Sequence, residues 1–192
     1  QRFYFEEQRV TLPGIPPRPD HSASSDLLAA LSGTILPKLT AEVGWQYSTD
    51  LSKTQKANVA TRYQPEPGKV LNLAYRSSTA TLIRQTDMSF QWPITSHWTA
   101  LGRWNYSMQD KRTLEALAGF EYDGGCWAFR AVGHRFVTAL NAVSTSIFLQ
   151  LELNGVSRIG SNPLDVLRRN VAGYTRLDPR TPRMDDYNVP DR

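Results

Sequence analysis

The chain has 192 residues, of which 40% are hydrophobic, with 22 Lys and Arg against 18 Asp and Glu for a net charge of +4. That balance excludes a chain disordered throughout. No apolar run approaches the roughly 18 residues of a membrane helix, so contact with a bilayer requires a closed barrel of strands; a mean hydropathy of −0.44 allows this, because a barrel shows lipid only alternate residues.

Residues 1–9 read as strand-like through Phe3, Tyr4 and Phe5, and 24–35 alternate weakly. The pattern is strong from Lys38 to Ser48. Leu39, Ala41, Val43, Trp45 and Tyr47 take one parity, and Lys38, Thr40, Glu42, Gly44, Gln46 and Ser48 take the other. Successive side chains of a strand point to opposite faces, so this segment has one apolar and one polar side. The same reading holds over 55–64, 69–76, 82–92 (Leu82, Met88, Phe90 and Trp92 against Gln85, Asp87, Ser89 and Gln91), 97–107 and 113–122. In 126–136, Trp127, Phe129 and Ala131 alternate with Arg130 and His134, but Val132 and Phe136 break the pattern. In 145–155, Ile147, Leu149, Leu151 and Leu153 oppose Gln150, Glu152 and Asn154. This makes ten strands, with Gly155 closing the last.

Connections alternate between short turns, such as Asp123-Gly124-Gly125, and longer loops, such as Val137 to Ser144. Pro, Gly, Asp and Asn supply the turn chemistry. An antiparallel up-and-down meander with tight turns at one end is the pattern of a transmembrane β-barrel, all-β in class. Aromatic residues gather near both ends of the strands, as rings do at two membrane–water interfaces. A soluble antiparallel sheet also buries one face, so alternation alone leaves that alternative open. The predicted organisation is 1–155 as barrel strands and 156–192 as a C-terminal tail on the periplasmic side, partly disordered. Residues 161–169 suggest a short helix with Asn162 as N-cap and Pro163 in the first turn. The basic residues near the end (Arg158, Arg168, Arg169, Arg176, Arg180) lack a nucleic-acid-binding motif and read as a solvated tail. No signal peptide is visible, and the chain reads as a piece of a longer protein.

The segment Gly119-Phe120-Glu121-Tyr122-Asp123-Gly124-Gly125-Cys126-Trp127-Ala128-Phe129-Arg130 resembles the C-terminal barrel region of the LptD family, the lipopolysaccharide-assembly or organic solvent tolerance proteins. Their motif there is a strand end, a turn, two adjacent cysteines, an aromatic, Ala, any residue and Arg. Phe148 to Gly155, reading Q-L-E-L-x-G, and Leu167 to Tyr174 agree further. The departure is Gly125, where the family usually has its first cysteine. The resemblance implies that Cys126 forms a disulfide with the N-terminal periplasmic domain of the same protein, upstream of this chain. Its alternative is a free, buried thiol. The resemblance also implies an outer-membrane location and passage of lipopolysaccharide through a lateral gate. It implies an LptE-like lipoprotein plug inside the barrel and a periplasmic bridge of the LptA type. On this reading the last strand, with Ile147, Leu149, Gln150, Leu151, Glu152, Leu153, Asn154 and Gly155, lines the gate, and Asn154 and Gly155 limit pairing at its end.

No cofactor, metal or catalytic group is expected. His97 and His134 lie on different strands without triad or ligand spacing, and Glu115 and Glu121 face the lumen by parity without forming an evident acid pair. Lys53, Lys56, Lys111 and Arg112 lie in or near outer loops, where ordinary solvation competes with contact to lipopolysaccharide phosphates. A passive porin-like channel explains the alternation and the aromatic belts equally well, but not a periplasmic cysteine or a long tail. A soluble β-rich module is the third reading.

Overall fold

The computed structural model describes residues 26–49, 52–138, 142–153 and 156–176. The strand expected over 1–9, the gate residues Asn154 and Gly155, and the end of the tail lie outside these. Ten strands form one antiparallel sheet in sequence order. They are β1 (Leu27–Leu36), β2 (Leu39–Ser48), β3 (Lys53–Glu66), β4 (Lys69–Ser78), β5 (Ile83–Pro93), β6 (Trp98–Ser107), β7 (Arg112–Asp123), β8 (Trp127–Val137), β9 (Val143–Leu153) and β10 (Ser157–Gly160); a helix, α1 (Leu164–Asn170), comes after them. No helix among the described residues is long and apolar enough to cross a membrane.

The fold is the all-β, up-and-down meander that the alternation predicts, with three differences. First, β10 continues the sheet past the strand taken as its last. It pairs with β9 from Ser157–Leu153 to Gly160–Gln150. Second, Leu82 belongs to the turn ahead of β5, at φ 52°, and not to the apolar face of that strand. Third, the loops are hardly longer than the turns. Four, four, four and five residues join the strands at one end, against two, two, four, three and three at the other. The ladders run further than the apolar pattern does, because polar residues such as Lys53 and Ser107 still pair.

Register sorts the side chains. Leu31, Val43, Val59, Leu73, Met88, Trp104, Phe120, Ile147 and Leu149 are all exposed on one face. Ser89, Gln91, Thr99, Glu121, Arg130, Gln150 and Glu152 are buried on the other. A water-soluble sheet would bury the first set, since a large apolar side chain gains roughly 1.5–3 kcal/mol on leaving water. The aromatics form two rows on the outward face. At the loop end Trp45 meets Tyr47 and Trp104 meets Tyr106, both at 5.5 Å. Each indole Nε1 donates to a threonine on the next strand, Trp45 to Thr54 and Trp104 to Thr113. At the turn end Tyr122 lies 4.9 Å from both Trp98 and Trp127.

Gly160 carries the chain off the sheet. Its φ is +107°, and a Cβ there would lie 2.2 Å from the Leu149 carbonyl oxygen. Only glycine fits such a site without moving the backbone. Gly160→Ala is therefore expected to detach β10, read as loss of hydrogen-exchange protection at 157–160 while β4 to β8 stay protected.

Candidate functional site

Two features stand out: the turn bearing Cys126, and the inner wall of β4 to β9 with the segment that crosses it.

Cys126 is exposed. It lies in the three-residue turn between β7 and β8, at the same end of the sheet as the connection from β9 to β10. The turn is held locally. Asp123 Oδ1 accepts from Gly125 N at 2.8 Å, Gly124 N donates to the Trp127 carbonyl at 2.8 Å, and His97 Nδ1 lies 2.8 Å from the Asp123 carbonyl oxygen. Gly125 sits at φ +80° with open space around it. This left-handed conformation suits glycine and costs other residues about 1–2 kcal/mol. The position that departs from the two-cysteine motif is therefore one where a cysteine would be strained. The exposed thiol does not match the buried, inert alternative.

The inner wall is not uniformly polar. Val70, Leu101, Leu117 and Val132 point inward and are buried. Leu101, Leu117 and Val132 form a cluster with Leu167 of α1, and Phe148, Val166 and Tyr174 pack against it. This explains the broken alternation at Val132: it faces inward, beneath α1. The helix spans 164–170, near the expected 161–169. Asn162 Oδ1 accepts from Leu164 N at 3.2 Å, although the N-cap position falls one residue later, on Pro163.

Around the apolar cluster lie two charged networks. Near the turn end, Arg130 donates to Glu121 at 3.0 Å and to Glu152 at 2.7 Å, with Gln150 at 3.3 Å. Glu152 also accepts from Arg158 of β10 at 2.9 Å and from Arg176 at 2.5 Å. Tyr174 donates to Glu121 at 2.6 Å. Burial first, and then the Glu121 charge, push the Tyr174 hydroxyl well above its usual range, so it stays protonated and donates. Nearer the loops, Arg103 grips Asp87 (2.7 Å), Glu115 (3.0 Å) and the Asn170 side chain, and His134 Nε2 lies 2.7 Å from Glu115.

Of the residues expected to line a gate, Gln150 and Glu152 face inward into the first network. Ile147, Leu149, Leu151 and Leu153 are exposed on the outward face. Sequence reading placed Arg130, Glu121 and Glu115 on the inner face but could not join them, and it missed the roles of Arg103, Tyr174 and Arg176. The available signal was the set of apolar residues at inward parity (Leu101, Leu117, Val132 and Phe148), which only a covering segment explains. Among the described residues no group of three or more His, Cys, Asp and Glu is placed to hold a metal. Lys56 lies on the inner, polar side of β3, across from Gln46.

The comparisons agree with this architecture. Residues 1–98 match the family described as LptD, LPS transport system D. That half of the chain lies ahead of the motif strands on which the resemblance was read. The chain is 47% identical over 174 residues to the LPS-assembly protein LptD of Thiobacillus denitrificans, covering 91% of this chain and 24% of the relative. It is 45% identical over 178 residues to that of Aromatoleum aromaticum, covering 93% and 22%. It is 41% identical over 192 residues to that of an Azoarcus species, covering 96% and 23%. The chain thus spans about a quarter of the length of these relatives. A sheet sorted into an exposed apolar face and a charged inner wall, together with a match over half its sequence, makes this chain a member of the LptD family.

Proposed function

We propose that this chain forms the C-terminal wall of an outer-membrane β-barrel that inserts lipopolysaccharide into the outer leaflet through a lateral gate. The observation that carries it is the exposed outward face: rings and aliphatic side chains on one side, buried ions on the other. Transfer of lipopolysaccharide poses a phase problem. Acyl chains need hydrocarbon while sugar phosphates need water. A polar-walled barrel with a weakly paired seam offers both. Strand β10 pairs with only four residues of β9. Among the described residues, no strand pairs with 143–148 on that side, and an edge of few ladder bonds is the easiest part of a wall to part. Strands outside this chain would complete the barrel and the opposite lip of the seam. The lumen would hold an LptE-like lipoprotein, and an LptA-type bridge would deliver lipopolysaccharide from the periplasm. A disulfide tether across the seam that left export unchanged would count against the gate.

Cys126 would join the N-terminal periplasmic domain of the same protein by a disulfide, in an oxidising compartment. The test uses the full-length protein. Cys126→Ser is expected to remove a mobility difference between reduced and non-reduced electrophoresis. Labelling of Cys126 by a maleimide without prior reduction would contradict the bridge. A porin-like channel would instead show conductance independent of lipopolysaccharide.

A further inference from the structure

Strand β10 has little of its own to hold it. Four paired residues make a ribbon that is marginal in isolation. After Gly160 the contact with β9 ends in Ser161, whose N donates to the Leu149 carbonyl while its Oγ accepts from Leu149 N, both at 2.9 Å. Residues 161–163 then lead into α1.

The helix and the residues up to Arg176 are seated far more firmly. Leu164, Leu167 and Val171 are buried. The Ala172 carbonyl accepts from Asn72 of β4 at 2.8 Å. The Gln91 side-chain amide of β5 donates through Nε2 to the Thr175 carbonyl at 2.8 Å and accepts through Oε1 from Thr175 N at 3.0 Å. Asn170 meets Arg103 of β6, Tyr174 meets Glu121 of β7, and Arg176 meets Glu152 of β9. The segment therefore reaches across the inner wall from β9 back to β4.

We propose that residues 161–176 are an internal strap, and that their docking on the inner wall is what holds the terminal strand on β9. Three connecting residues span about 10 Å at full stretch, so β10 cannot move far while α1 is seated. Glu152 couples the two parts, since the same Oε1 accepts from Arg158 of β10 and from Arg176 of the strap. Release of the strap frees β10 and lengthens the open edge of β9. The terminal seam is thereby set by side-chain contacts inside the wall, and a partner or substrate that displaces the strap widens it. The consequence for export rests on the reading of the sheet as a barrel wall; the mechanical coupling does not.

The test is hydrogen exchange on the full-length protein in detergent, with variants that touch the strap's seat and leave every hydrogen bond of β10 in place. Leu167→Ala empties the apolar seat, and Gln91→Leu is the milder change, removing the hydrogen bonds to Thr175 alone. Both are expected to raise exchange at 157–160 together with 164–176, by about tenfold or more for Leu167→Ala, while β6 to β8 keep their protection. Faster exchange confined to 164–176, with 157–160 unchanged, would overturn the coupling. Unchanged exchange in both segments would also overturn it, because the seat would then not hold the strap. Neither failure bears on whether lipid covers the outward face, which an arginine substitution at Leu73 reads separately.

Discussion

Replacing Arg130 with methionine is expected to destabilise the folded protein by about 3–5 kcal/mol, because two buried carboxylates lose their shared cation. Arg130 is 3% exposed, and it lies between Glu121 and Glu152, which are 7% and 5% exposed. Among the described residues its guanidinium is the one group that bonds both. Without it, Tyr174 still donates to Glu121, and Arg158 and Arg176 still reach Glu152. Glu121 therefore suffers most. The loss is expected to shrink when Glu121→Gln is added, since an uncharged amide removes the unpaired buried charge. Urea unfolding of the full-length protein in detergent measures both. A cost below about 1 kcal/mol for Arg130→Met would mean that water reaches the network and screens it.

Leu73→Arg separates a lipid-facing sheet from a water-facing one. Leu73 sits mid-strand on β4, across from Thr61 and Met88, and is 47% exposed. At the midplane of a bilayer an outward arginine costs about 2–4 kcal/mol. At a half-exposed site in water the same change falls within about 0.5 kcal/mol. The expected result is the larger cost in phospholipid vesicles, shrinking toward zero when the substitution is moved to the end of a strand. A small, depth-independent effect would remove the membrane reading and the proposed function with it.

Much of the fold was legible because alternation is a local property. Seven of the ten described strands announce themselves by parity, while β1 alternates weakly, β8 is interrupted at Val132 and Phe136, and β10 shows no period; Trp45, Trp104 and Trp98 fall at strand ends without any knowledge of register. The exceptions are instructive. Strand β10, Ser-Arg-Ile-Gly, is too short to show a period; it exists because Leu149 to Leu153 offer it an edge. Leu82 fits the apolar parity yet lies in a turn with positive φ. Leu117 and Phe148 are apolar at inward parity, which signals that something covers them, but only the fold shows that the cover is α1.

By itself, the sequence determined which face of most strands is greasy, where most of the turns fall, and that Cys126 follows a turn at the end of the sheet where the strand read over 145–155 finishes. Only the tertiary structure decided which charges meet and what covers them. Arg130 finds Glu152 through a register between neighbouring strands, and Gln91 finds Thr175 across 84 residues of chain. The physical reason is range. Side-chain direction follows from the backbone of each residue and its neighbours, whereas burial of an ion depends on groups brought together only when the whole wall and its strap have formed.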